Sequence, residues 1–190
     1  ASFLNLYHAG QNQIVLREHF RSHPLIIGFS NLNIYYKKHS TPLVIKNPDQ
    51  YSNLQDGLSH VQVSGKSIKP SQGSGWTNPD EASAVISAIK SIKANSSNNS
   101  LSIGVVTPYK KQAELITDSL TSEGLIGGVA VGTAHVYQGQ EKDIMIFSTV
   151  VSTGMDHSAA MWISKPPNVL NVAMTRAKRQ LIIVGDMDYC

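Results

Sequence analysis

The 190 residues are 41% hydrophobic and 15% charged, the make-up of a soluble globular chain, and their number supports one domain with a proper core. A formal net charge of +3 without a dense Lys/Arg block permits a nucleic-acid partner but does not demand one. The single cysteine, Cys190, excludes an internal disulfide and a cysteine-ligated metal and points to a reducing, cytoplasmic setting, and no apolar run approaches the roughly 18 residues of a membrane span.

The chain begins mid-pattern at Ala1 without an initiator Met, so a fragment of something longer is expected. Ile14 to Leu16 reads as a short strand, followed by a charged turn from Arg17 to His23. Pro24 suits the first position of a helix whose apolar face would be Leu25, Ile26, Phe29, Leu32 and Tyr36. Residues 37–57 are rich in Lys, Pro, Asn and Asp and read as a loop with one brief strand at Leu43 to Ile45. His60 to Val63 alternates as a strand does, and Gly65 to Gly75 is a Ser/Gly/Pro stretch without periodicity.

Asn78-Pro79-Asp80-Glu81 is a strong helix start, with an N-cap, a proline in the first position and a glutamate three after the cap. Ala82, Val85, Ile86 and Ile89 supply its buried stripe. After a polar break at 95–100, Leu101 to Val106 reads as a buried strand, and Pro108 and Tyr109 open a helix to about Leu120. Val129 to Gly132 and Asp143 to Val151 are two further strands separated by a turn around Gln138-Gly139, and 152–166 reads as a loop. Pro166 and Pro167 stop any earlier helix, Asn168 is a suitable cap, and Leu170, Ala173, Met174 and Ala177 recur at helical spacing before the apolar strand Leu181 to Val184. Strands alternating with helices predict an α/β domain with a mainly parallel sheet and helices on both faces; 37–57 and 65–75 are insertions within this one domain, 1–190.

Arg176, Lys178 and Arg179 crowd the junction between the last helix and the last strand. Cations there are favoured by the helix dipole alone, yet an arginine fork also suits phosphate, and spacing leaves both readings open. Gly65-Lys66-Ser67 ends like a phosphate-binding loop, but His60 stands where that loop requires glycine, and Pro70 with a glycine-rich stretch follows instead of a helix. No Asp-Glu pair follows an apolar strand, so the chain lacks its own triphosphate cradle.

Four stretches carry a resemblance to a known family. LNVAMTRAKRQLIIVGD, ending at Asp186, resembles motif VI of superfamily 1 nucleic-acid helicases, in the group that includes the RNA surveillance helicase. LREHFRSHP, from Leu16 to Pro24, resembles motif IV. IGVVTPYKKQ, from Ile103 to Gln112, resembles the strand-to-helix turn that faces the nucleic acid. VGTAHVYQGQEKDIMIFSTV, from Val131 to Val150, resembles motif V. The resemblance implies the second RecA-like domain of such a helicase, with the three-layer fold of P-loop NTPases but no P-loop.

By position, it assigns Arg21 and Arg176 to the terminal phosphate of ATP as arginine fingers. Phe20, Gln138, Gly139 and Glu141 fall on the side of the nucleotide base, ribose or phosphates. Thr107, Pro108, Tyr109, Thr133 and His135 face single-stranded DNA or RNA, with Thr107 and the following helix start offering an anion site and Tyr109 either stacking on a base or packing at the core edge. His135 stands where most of the group has Asp, and Lys178 where arginine is common. Mg²⁺ and the P-loop would belong to the N-terminal RecA-like domain, absent from these residues. The competing expectations are a non-catalytic binding module derived from a helicase domain and a stand-alone nucleotide enzyme, the latter excluded here by the missing P-loop.

Overall fold

In the computed structural model, the residues described are 17–32, 42–46, 57–71, 75–95, 98, 100–134, 136–137, 140–164, 171 and 174–189. The expected strand at 14–16, Tyr36, most of 37–57, the Asn168 cap, Leu170 and Ala173 lie outside them. The strands are β1 Glu18–His19, β2 Val44–Ile45, β3 Leu58–Gln62, β4 Ile103–Thr107, β5 Val129–Thr133, β6 Lys142–Ser148 and β7 Ala177–Gly185. The helices are α1 Pro24–Ser30, α2 Pro79–Ala94, α3 Lys110–Ser122 and α4 His157–Ser164.

Strands β3 to β7 form one sheet in the order β3-β7-β6-β4-β5, parallel at every pairing, and β1 pairs with β2 beside it. The apolar runs of the central strands are explained by cores on both faces, because alternate residues of one strand point opposite ways. Ile103, Val105, Ile144, Ile146, Ile182 and Val184 meet Val85, Ile86 and Ile89 of α2 and Ile116 and Leu120 of α3. Val106, Met145, Phe147 and Leu181 face the opposite way, towards Ile26 of α1, Tyr137 and Met174.

This fold is the RecA-like arrangement expected, and three details differ from the sequence reading. The loop expected at 152–166 contains α4, which packs Ala159 and Ala160 against Trp76, Val150, Val151 and Met155. The last strand begins at Ala177, not Leu181, because β6 is already paired there, Lys142 opposite Ala177. In α1 the buried positions are Ile26 and Ile27, while Leu25 and Leu32 are 56% and 59% exposed.

Two irregularities shape the ends of the sheet. Between the pairs Lys142–Ala177 and Ile144–Gln180, β6 advances two residues and β7 three, so β7 bulges at Lys178-Arg179. The strand order takes the chain from the end of β5 past β4 to the start of β6. Tyr137 anchors this crossing: it is buried and its hydroxyl donates to the Ala130 carbonyl. Burial pushes its phenol up to about 12, so it remains a neutral donor. The crossing needs a flat floor. A Cβ on Gly104 would stand 2.5 Å from Met145 Sδ and 3.2 Å from the Tyr137 hydroxyl, and one on Gly132 would stand 3.1 Å from Val136 Cβ.

Candidate functional site

Residues 17–23, expected as a turn throughout, are strand β1 followed by a turn, and both histidines act as acceptors. His19 Nε2 accepts from the Ser22 N–H at 2.8 Å, and His23 Nδ1 accepts from the Leu25 N–H at 3.1 Å, capping α1. An imidazole nitrogen accepts only when unprotonated, and both groups titrate below the ordinary histidine value. Burial is the larger cause for His19, followed by the Arg21 charge; burial is the cause for His23. The turn is fastened to the bulge of β7, where the Lys178 carbonyl accepts from the His23 N–H at 2.8 Å. With its histidines turned inward, the turn presents Phe20, 54% exposed, and the exposed Arg21 outward.

Arg21 Nε lies 2.7 Å from Glu141 Oε1. The next residue, Lys142, donates its N–H to the Arg176 carbonyl at 3.1 Å. Thus the turn before α1, the end of the crossing and the start of β7 bring Arg21, Glu141 and Arg176 to the N-terminal edge of the sheet. Arg176 Nη2 donates to Thr175 Oγ1 at 3.4 Å. Asn171, a polar residue in an otherwise apolar stretch, has a partner in α1: its Oδ1 accepts from Ser30 Oγ at 2.5 Å. Asp143 accepts from the Ser102 N–H and hydroxyl at 2.9 and 2.7 Å, and Arg179 Nε lies 3.8 Å away. Burial acts to raise the Asp143 pKa, but Ser102 and the charges of Lys178 and Arg179 outweigh it and the net displacement is downward. Among the described residues, this end carries Arg21, Lys142, Arg176, Lys178 and Arg179 beside Glu141 and Asp143, more cations than carboxylates.

Of the residues expected to face nucleic acid, Thr107, Pro108, Tyr109 and Thr133 lie at the other end. Thr107 and Thr133 are register partners at the C-terminal ends of β4 and β5. The Thr107 side chain is wholly buried, and its Oγ1 and Ser22 Oγ are, among the described residues, buried side-chain atoms without a hydrogen-bond partner. Pro108 and Tyr109 are half-buried. Tyr109 packs against the cluster of Trp76, Val150, Val151 and Met155 and donates its hydroxyl to the Ala159 carbonyl at 3.3 Å, the core-edge placement that was one of its two expected roles. It is also the N-cap residue of α3, whose start carries no side-chain cap. Thr133 lines a groove of about 360 Å³ between α3 and β5, with Lys110, Glu114, Asp118 and Val136. Gln138, Gly139 and His135 lie outside the described residues.

Sequence reasoning passed over two features. Gly57 packs against His23 so closely that a Cβ there would stand 1.9 Å from Nδ1; a glycine at the entry to β3 was the available signal. Glu81 was read only as part of a helix start, yet it is fully buried and receives hydrogen bonds from the end of β6. The polar pair Ser148-Thr149 closing an apolar strand could have pointed to such a partner.

Comparison with known proteins agrees with the fold. A family model described as an AAA domain (AAA_12) matches residues 1–188. The chain is 27% identical to the probable RNA helicase armi of Drosophila melanogaster, over 94% of this chain and 17% of that protein. It is 36% identical to the DNA replication ATP-dependent helicase/nuclease JHS1 of Arabidopsis thaliana, over 57% of this chain and 8% of that one. The chain thus spans less than a fifth of either relative. Among solved structures, the C-terminal domain of a possible DNA helicase from Lactobacillus plantarum superposes with a TM-score of 0.52, covering 87% of this chain and 86% of that one at 13% identity, a likeness of fold.

Proposed function

The chain belongs to the AAA-domain family, among the C-terminal RecA-like domains of superfamily 1 helicases, and from that premise we propose that it is the second motor domain of an ATP-dependent nucleic-acid helicase. The observation that carries the reading is the convergence of Arg21, Glu141 and Arg176, from three separate segments, on one cationic edge of the sheet. That donor set fits polyphosphate, since guanidinium groups match phosphate oxygens in charge and geometry. It does not fit a metal: among the described residues, no three His, Cys, Asp or Glu side chains gather as ligands. Magnesium and the P-loop are accordingly assigned to the N-terminal RecA-like domain of the same protein.

Bound ATP supplies the phosphoryl group whose transfer to water drives the motor. Arg21 and Arg176 present positive charge to its terminal phosphate as arginine fingers. Glu141 holds the Arg21 guanidinium at its Nε. Phe20 offers an exposed ring to the base or sugar, the side to which the family resemblance also assigns Gln138 and Gly139. At the opposite edge the start of α3 offers backbone N–H groups to a sugar-phosphate. The Thr107 hydroxyl is buried, so the first contacts with a strand fall to the half-buried Pro108, Tyr109 and Thr133, with His135 assigned to the same side by resemblance. The two edges are separated by the length of β6, about 20 Å at ~3.3 Å per residue.

ATP hydrolysis by the full-length protein, with and without single-stranded DNA or RNA, tests this reading. Arg176→Ala is expected to lose at least about a hundredfold in strand-stimulated turnover, within the 10³–10⁵ scale of arginine fingers or just below it. The 190-residue chain alone is expected to hydrolyse nothing. Turnover indifferent to Arg176, or absent from the full-length protein, would instead favour a non-catalytic binding module.

A further inference from the structure

We propose that Glu81 is a positioning residue for strand-stimulated turnover: its buried carboxylate holds the exit of β6 in a strained turn, and that turn sets the shape of the strand-facing edge. The proposal rests on the helicase reading and adds to it a residue on neither edge.

Glu81 occupies the third position of α2, where a glutamate ordinarily reaches back to the N–H of the capping residue. That N–H is already taken: Asn78 donates it to Gln112 Oε1 at 2.8 Å, and Gln112 Nε2 donates in turn to the Asn78 carbonyl and Ser148 Oγ, both at 3.1 Å. The carboxylate of Glu81 is thereby released to β6. Oε2 accepts from Ser148 Oγ at 2.7 Å and the Val150 N–H at 2.9 Å. Oε1 accepts from Thr149 Oγ1 at 3.2 Å and Asn78 Nδ2 at 3.3 Å. One wholly buried group thus joins the start of α2, the first turns of α3 and the exit of β6.

The exit it holds is strained. Val150 has φ +65°, a left-handed conformation that a β-branched residue adopts only under constraint. The constraint comes from two sides. Glu81 takes its N–H, and Ser67 Oγ donates to its carbonyl at 2.5 Å. The strained residue packs in the cluster that seats α4 and Tyr109, the N-cap residue of α3 on the strand-facing edge. An amide in place of the carboxylate would turn an NH₂ group towards donors, so the full set of four accepted bonds needs the ionised carboxylate. Burying that charge costs stability, and what it fixes is a conformation next to the strand-facing edge.

The test is Glu81→Gln in the full-length protein, assayed with oligothymidylate and oligouridylate at a temperature well below melting. The strand concentration giving half-maximal stimulation is expected to rise about tenfold, equivalent to ~1.4 kcal/mol, with the unstimulated rate and the KM for ATP within about twofold of the unsubstituted protein. Ser67→Ala, which loosens the same turn from its other side, should move it in the same direction, and it decides alone if Glu81→Gln does not fold. Proportional loss of stimulated and unstimulated rates, or an unmoved half-saturation point, overturns the inference. Stimulation absent from the unsubstituted protein defeats the helicase reading as well; normal stimulation with variants that match it defeats only this proposal.

Discussion

His23 is held from three directions at once. Its ring caps α1, its N–H is bonded to the bulge of β7, and Gly57 lies against its face. Gly57→Ala would place a Cβ inside van der Waals contact and drive the ring off the Leu25 N–H. Loss of a cap at ~1 kcal/mol and overpacking at about 1–3 kcal/mol predict a destabilisation of about 2–4 kcal/mol in urea unfolding of the chain. A change below about 0.5 kcal/mol would show that His23 has room to move. At this scale the sequence was informative where a side chain acts through its type. Arg176 stood out because a guanidinium group at a helix–strand junction suits phosphate as well as the helix dipole, whereas Arg21 was singled out only by the family resemblance. It was silent where the role depends on distant packing. Nothing local shows that Glu141 would meet Arg21, that Gly57 makes room for His23, or that Gln112 would displace Glu81 from its usual cap bond.

Among the elements, those that bury a regular stripe were legible. The buried faces of α2 and of strands β4 and β6 follow the apolar spacing closely. Two elements are governed by neighbours instead. The start of β7 is polar, Lys178-Arg179-Gln180, and becomes strand because β6 is present to pair with it through a bulge. α4 has no acidic first turn and is short; its place is set by the cluster around Trp76. The crossing from β5 to β6 is likewise a tertiary feature, and with β6 it explains a glycine inside a buried strand. Gly104→Val should press on Met145 and Lys142 of β6 and push the Tyr137 anchor off the sheet, destabilising the chain by about 1–3 kcal/mol. Because the crossing ends at Glu141, ATP turnover of the full-length protein should fall with it. Thermal melting and turnover at one temperature check both effects; an unchanged melting temperature would mean that the floor need not be flat.

Across the whole molecule, ionisable groups with opposite pH demands sit in one fold, and Glu81 can be separated from the rest by the sign of its contribution. Burial pushes its carboxyl from 4.5 up to about 7, against the hydrogen bonds from Ser148, Val150 and Thr149. Between those values the folded state binds more protons than the unfolded chain, so this contribution to stability is full below pH 4.5 and lost as pH rises through about 7. His19 and His23 act the other way. Their lowered values mean that the stability they lend is present above pH 6.5 and lost in acid, and lowered Asp143 adds a loss at still lower pH. The unsubstituted chain therefore shows a compensated profile, and the informative quantity is its difference from Glu81→Gln. The amide loses acceptor contacts at every pH but carries no charge to bury. Relative to the unsubstituted chain, its stability should improve between pH 4.5 and pH 8 by up to about 3 kcal/mol, from 1.36 kcal/mol per pH unit of displacement. Urea midpoints of the two proteins across that range measure the difference directly. A difference that stays flat with pH would mean that the carboxylate is ionised in the folded state at its ordinary pKa. The charge would then be far better solvated than its burial beside Val150 implies.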